Sequence, residues 1–382
     1  MGMEWLFFLL PLAALSGWWA ARGRPGRRKA KDCPPVLNTR YYQGLNYLLD
    51  EQPDAALDVF IGLSELDSES VEIQFALAAL FLRRGEVDRA VRIHQNLIAR
   101  PTLSPQHKRQ ALFALGKDYM SAGLFDRAEN LFRDLLHDDL HGDASRTLLL
   151  NIYQQEKEWQ KAIDIAQQLR GTKAGHLAPV VAQYHCELAE QAMRKGDTAE
   201  FNRCLRRALD WDRQCVRASL LEAQQAQRQG QAQQVLRACK RVEEQDPELL
   251  PLILESVQQA YLQLERMDEY QGYLVQLVRR HPQQPLIDAL VQVYLQRGER
   301  NQAELLINET LSKQPTLSNL GNLLDVLRER HADPVQWQRL RDATQSLLQS
   351  KPRFLCRQCG YQGRNMQWLC PSCKQWNSIK PL

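Results

Sequence analysis

The 382-residue chain lacks the short signatures that mark most enzymes. It has no glycine-rich phosphate loop, no G-x-S-x-G elbow, no helical H-E-x-x-H pair and no paired acids with an evident partner. Acidic side chains are missing from two stretches. Residues 22–31 (RGRPGRRKAK) hold six cations and no acid, and residues 351–382 hold six more (Lys351, Arg353, Arg357, Arg364, Lys374, Lys380), again with no acid. Between them, residues 33–350 carry 37 basic and 43 acidic side chains, so the formal charge of +4 conceals an acidic middle with basic ends. An acidic middle repels phosphate, which argues against nucleic acid as a partner, and a basic tail docked on that middle is the simpler reading. A disulfide framework is missing as well. Of nine cysteines, Cys33, Cys186, Cys204, Cys215 and Cys239 are scattered without a pairing pattern. Cys204 and Cys239 fall on core positions of the repeat described below, and buried free thiols point to a reducing compartment.

One long apolar run is present, and it stands at the front. Trp5 to Ala21 (WLFFLLPLAALSGWWAA) contains no charge. A helix over residues 1–21 would be roughly 31 Å long, about the thickness of a bilayer core. Trp5, Trp18 and Trp19 sit at its ends, where indole rings favour the lipid–water interface. A cleaved signal peptide needs cations before the run. Here Glu4 precedes it and the cations from Arg22 to Lys31 follow. The expectation is a retained single-pass anchor over 1–21 with its N-terminus outside, a basic juxtamembrane linker over 22–36, and the bulk of the chain in the cytoplasm.

Over residues 37–350 the chain repeats itself. EQPDAA (51–56), GEVDRA (85–90), GLFDRA (123–128), KEWQKA (157–162), GDTAEF (196–201), GQAQQV (230–235), ERMDEY (265–270) and GERNQA (298–303) start at intervals of 34, 38, 34, 39, 34, 35 and 33 residues. A period near 34 is that of helix–turn–helix units. Small or apolar residues precede most turns by seven, as at Gly44, Ala78, Gly116, Ala189 and Ala223. A larger residue follows three later in most repeats (Tyr47, Phe81, Tyr119, Tyr153, Tyr261, Tyr294), and the shared position makes these core. The array resembles the tetratricopeptide repeat family, and residues 319–350 supply a ninth, degenerate helix pair. Phe201 and Tyr270 replace the small residue after the turn, so looser packing or altered curvature is expected there. The fold class is therefore all-α, a superhelical array whose concave surface suits partner binding and not catalysis. The run His137-Asp138-Asp139-Leu140-His141 lies in an inter-repeat turn and reads as a solvated loop.

The remaining chemistry lies in residues 351–382. Cys356, Cys359, Cys370 and Cys373 form two C-x-x-C pairs separated by ten residues, a spacing that lets four thiolates enclose one metal ion. Gly360 permits the backbone angle of the first turn, and Tyr361, Trp368 and Trp376 are expected to cover the site. A unit of this size folds largely on its metal. C-x-x-C-G-Y with C-P-x-C resembles rubredoxin knuckles and zinc ribbons. The short intervening segment, and Lys374 where rubredoxins carry glycine, favour structural zinc over electron-carrying iron.

The anchor, the repeats and the CRQCG…CPSC knuckle, in that order, resemble the lipopolysaccharide assembly protein B family of Gram-negative bacteria over essentially the whole chain. The resemblance implies an inner-membrane regulatory adaptor and not an enzyme. It implies partnership with the FtsH protease in degrading the deacetylase that commits precursors to lipid A, and restraint by an inner-membrane partner with a periplasmic domain. It further implies a knuckle packed against the repeats, with Cys356, Cys359, Cys370 and Cys373 needed for function. The alternative reading is a membrane-tethered scaffold assembling lipopolysaccharide synthesis and transport proteins. Self-association of the array is left open.

Overall fold

In the computed structural model, residues 35–50, 52–66, 70–169, 172–313, 315–327 and 334–382 are described. The candidate anchor over 1–21 and nearly all of the basic linker lie outside them. Among the described residues no helix is long and apolar enough to cross a membrane. The chain divides into two compact units, one ending at Ser145 and the other beginning at Arg146.

The first unit contains three helix pairs. They are α1 (Pro35–Leu49) with α2 (Pro53–Leu66), α3 (Val71–Arg83) with α4 (Val87–Ile98), and α5 (Pro105–Ser121) with α6 (Phe125–Asp134). Ser70 and Ser104 cap α3 and α5, each side chain accepting the backbone N–H three residues on. Between partners the approach is close. A Cβ on Gly44 would stand 2.8 Å from the Phe60 ring, and one on Gly116 would stand 2.6 Å from the Phe132 ring. These are the small-then-large positions of the repeat, and only glycine admits a fully buried phenylalanine at this separation. In the second repeat the position of Phe60 and Phe132 is taken by His94, 3% exposed. Its Nδ1 lies 2.6 Å from Asp118 Oδ2, so the histidine is a core residue with a buried partner.

The second unit continues the pattern. Helix α7 (Gly142–Glu156), whose first turn crosses the division, pairs with α8 (Trp159–Gln168), and α9 (Thr172–Lys195) with α10 (Thr198–Trp211). Next come α11 (Val216–Arg228) with α12 (Ala232–Gln245), then a 3-10 helix (Pro247–Ile253) that leads into α13 (Leu254–Gln263) and its partner α14 (Met267–Arg280). Helices α15 (Gln284–Gln296) and α16 (Arg300–Lys313) follow, and α17 (Leu317–Leu327) packs on α18 (Pro334–Ser350) as the ninth pair.

In the second to eighth pairs the turn places one residue in the left-handed region. Gly85, Gly123, Gly196, Gly230 and Gly298 do so at φ between 71° and 78°. Lys157 and Glu265 adopt φ 59° and 58° at the equivalent place, without glycine's freedom. The residue five after each turn start, Ala56, Ala90, Ala128, Ala162, Phe201, Val235, Tyr270 or Ala303, is at most 1% exposed in every repeat. The looseness expected at Phe201 and Tyr270 is therefore absent. Both large rings are fully enclosed, and Tyr270 packs on Tyr261 with ring centroids 5.7 Å apart. Cys204 and Cys239 are core residues, 2% and 1% exposed.

After α18 the chain forms a three-stranded antiparallel sheet, β1 (Phe354–Cys356), β2 (Gln362–Gly363) and β3 (Ile379–Pro381), in the order β2-β1-β3. Leu355 pairs with Gln362 on one side and Lys380 on the other. The fold is thus helical repeats followed by a small ribbon, as the sequence predicts.

Candidate metal centre and its seat on the repeats

Each C-x-x-C pair sits on a tight turn of the same design. In the first, the Gly360 N–H donates to Cys356 O (3.0 Å) and the Cys356 N–H to Tyr361 O (2.8 Å). In the second, the Lys374 N–H donates to Cys370 O and the Cys370 N–H to Gln375 O, both at 3.0 Å. Gly360 takes φ 77° and Lys374 takes φ 58°, so the lysine adopts the turn conformation that glycine supplies in the other knuckle.

The two turns face each other, and all four Sγ atoms lie within 4.8 Å of one another. Cys356 and Cys373 are 3.8 Å apart, Cys359 and Cys370 3.7 Å. A tetrahedron of sulfurs about 2.3 Å from a central zinc has edges of about 3.8 Å, so the donor set fits one tetrahedral thiophilic ion. The Ser378 hydroxyl, 3.3 Å from Cys356 Sγ, and the amides of Cys359 and Gln358 hold the Cys356 thiol down to about 6 against the opposing desolvation. The Tyr361 amide lowers Cys359 in the same way. Against the lowering pull of the Gln375 amide, desolvation and the neighbouring sulfurs push Cys373 up to about 11. The site thus stabilises some thiolates by itself and leaves others needing a cation.

The aromatics do not share one task. Tyr361 joins Phe354, Met366 and Ile379 around Cys356 and Cys370, as expected. Trp368 instead packs against the large core cluster of the repeats. Trp376 leaves the metal unit as well. Its Nε1–H donates to Gln154 Oε1 (2.9 Å), which also accepts from the Tyr184 hydroxyl (3.0 Å). The indole meets Trp159 and Tyr184 edge-on at 6.3 and 6.1 Å. Beside it, Gln183 Nε2 donates to Asn377 Oδ1 (2.8 Å), while Gln183 Oε1 accepts from Arg217, which is held between Glu187 and Glu190. The expectation that Tyr361, Trp368 and Trp376 together cap the metal holds for Tyr361 alone.

The charge split also has its counterpart. Lys380 pairs with Asp246, and Arg357 stands 3.8 Å from Glu248 at the start of the 3-10 helix. Two of the six tail cations thus face acids of the repeats. The seat itself is mainly aromatic and amide. The scattered cysteines held one surprise, since buried Cys186 and Cys215 approach to 3.7 Å, and nothing in their spacing of 29 residues signals it. Among the described residues the only group of three or more metal-binding side chains is the four-cysteine cluster. Within the 137–141 turn, Asp138 pairs with Arg109 and His141 stacks on Phe113 at 4.8 Å.

Residues 354–381 match the family described as the Rubredoxin metal binding domain, and residues 75–108 match the Tetratricopeptide repeat. Lipopolysaccharide assembly protein B of Escherichia coli is 34% identical over 387 aligned residues, spanning 100% of this chain and 98% of that protein. The chain belongs to the lipopolysaccharide assembly protein B family. The Haemophilus influenzae member is 33% identical, over 100% of this chain and 98% of its own length. Among solved structures, MamA from Desulfovibrio magneticus aligns with 46% of this chain and 95% of its own, at 18% identity and a TM-score of 0.34, a likeness too loose to bear on function.

Proposed function

We propose that this chain is a membrane-held, non-catalytic adaptor of lipopolysaccharide assembly. On this reading it promotes FtsH-dependent proteolysis of the deacetylase that commits precursors to lipid A. The observation that carries the adaptor reading is the seating of the ribbon. A domain with four clustered thiols is fixed on a helical repeat array through Trp376, Asn377, Lys380 and Arg357. Such an assembly presents surfaces for partners, as helical repeat arrays do.

Cys356, Cys359, Cys370 and Cys373 hold one ion in this proposal, zinc in preference to iron. When bound, the ion supplies cross-linking and charge neutralisation. The chain's own residues do the rest. Cys356 and Cys370, buried with Ile379, tie the two knuckles together, and Trp376 and Lys380 orient the ribbon against the repeats. The anchor over 1–21 confines the array to the inner-membrane surface and raises its effective concentration near a membrane protease. An inner-membrane partner with a periplasmic domain restrains it in this proposal.

The deciding experiment is the cellular half-life of the deacetylase with this chain present, depleted, or carrying Cys356→Ser. Lengthening on depletion and in the variant supports the proteolytic adaptor. An unchanged half-life with lost lipopolysaccharide assembly favours the scaffold instead. Metal analysis of the purified chain separates zinc from iron, since iron held by four thiolates absorbs visible light.

A further inference from the structure

The exposed face of helix α12, in the sixth repeat, departs from the acidic average of the array. Helix α12 buries Val235, Ala238, Cys239 and Val242, one stripe at helical spacing. Arg237 and Lys240 fall on the opposite face and are exposed. Helix α10 carries Arg203, Arg206 and Arg207 at the corresponding places one 34-residue period earlier, and none of them lines the cleft described next.

Beside α12 there is a hollow. A cleft of about 370 Å³ opens between α12 and α14, floored by Val257 and Tyr261 of α13. Arg237 and Lys240 line one wall, and Tyr273 and Arg280 the other. Its acid, Glu243, is taken by Arg280 and lies 3.7 Å from His281. Arg237 and Lys240 have no carboxylate partner among the described residues. The Tyr261 and Tyr273 rings stand 6.3 Å apart, and burial raises both phenols above their ordinary value, so each keeps its O–H as a donor. Leu236 and Val257 add apolar wall.

We infer that the cleft between α12 and α14 binds a phosphoryl group, held by the Arg237 guanidinium, the Lys240 ammonium and the phenols of Tyr261 and Tyr273. The argument is one of chemistry and shape. A guanidinium supplies paired donors that match phosphate oxygens, an ammonium adds a point charge, and phenols donate without adding charge. The cations flank a concavity with partly apolar walls. That arrangement suits a phosphate ester whose organic part enters the cleft, and a flat, diffuse basic patch would not need it. Both a soluble phosphate ester and a phosphomonoester lipid headgroup have this chemistry.

The test uses the full chain in nanodiscs of phosphatidylcholine, titrated with pyrophosphate by calorimetry at physiological salt. Saturable binding is expected, weakened at least tenfold by Arg237→Ala with Lys240→Ala. It should be nearly unchanged by Arg203→Ala with Arg206→Ala, which removes the same charge from a helix that does not line the cleft. Tyr273→Phe should weaken binding severalfold while leaving the fold intact. Repeating the titration in discs containing phosphatidic acid identifies the source. Weaker apparent pyrophosphate affinity there means that the headgroup competes for the cleft, and equal affinity means that the occupant is a soluble ester. Absence of saturable binding would overturn the inference. So would equal losses in the two double variants, or citrate binding as tightly as pyrophosphate.

Discussion

Replacing Trp376 separates the ribbon's seat from its metal. The indole is far from the sulfurs in role, yet it forms one hydrogen bond to Gln154 and two edge-on contacts, with Trp159 and Tyr184. An aromatic pair is worth about 0.5–1.5 kcal/mol beyond area burial, and a neutral hydrogen bond about 1 kcal/mol net. Trp376→Ala should therefore weaken seating by about 2–4 kcal/mol, a shift of roughly 30- to 700-fold in the docked-to-free ratio. Trp376→Phe keeps the ring contacts and loses only the N–H donor, and Gln154 Oε1 still accepts from Tyr184. Its cost should be about 1 kcal/mol, roughly fivefold. Two probes read the seat directly. Hydroxyl-radical oxidation of Tyr184, 3% exposed in the docked state, should rise as the ribbon lifts. Acylation of the Lys380 amine, paired with Asp246 only when docked, should rise in parallel. Metal content should be unchanged in both variants. If Lys380 in Trp376→Ala stays as protected as in the unaltered chain, or if Phe costs as much as Ala, Trp376 is not the anchor and the reasoning fails.

Three further outcomes test the fold. Gly116→Ala would place a methyl 2.6 Å from the buried Phe132 ring, so denaturant unfolding of the first unit should show a loss of about 1–3 kcal/mol. Lys157→Gly and Glu265→Gly should each stabilise by about 1 kcal/mol, because both residues hold φ near 58° where a side chain is strained; unchanged or lower melting temperatures would contradict this. His185 is 2% exposed, and burial with the nearby Arg207 charge holds its imidazole down to about 4. Its folded value lies below its unfolded value, so the unfolded chain binds the extra proton between about pH 6.5 and 4. Stability from this group is complete above pH 6.5 and is lost as pH falls through that window, by about 3 kcal/mol in all. His185→Leu should flatten that part of the melting-temperature profile, and an unaltered slope would assign it to other groups.

How much of this was legible depends on whether a feature leaves a periodic or spaced trace. The helix pairs do, because a turn recurs every 34 or so residues, and the structure buries the residue five after its start in all eight repeats. The clustering of the four cysteines does too, since two C-x-x-C turns near each other have few other uses. Phe201 and Tyr270 misled because size at one position says nothing about the space its neighbours leave. The left-handed angles at Lys157, Glu265 and Lys374 were invisible for a related reason. Turn geometry is imposed by the helices on either side, and residue type only sets its cost. Trp368 and Trp376 lie beside the knuckle in sequence, whereas their side chains meet helices far away in the chain. The acidic net charge of residues 33–350 likewise averaged away the basic wall formed by Arg237 and Lys240.

The bond from Trp376 to Gln154 joins residues 222 apart in the chain, and that from Asn377 to Gln183 joins residues 194 apart. Within each unit helix pairs touch their sequence neighbours, so they can form in sequence order as the ribosome extends the chain. The seat cannot. At about 5–20 residues per second, synthesis delivers Trp376 about 10–40 s after Gln154. For that interval Trp159 and Tyr184 present an aromatic surface with its own occupant still unmade. The nascent protein therefore passes through a stage in which the ribbon's landing place is open to any aromatic-bearing segment, its own or another chain's, and the timing of translation sets how long that competition lasts.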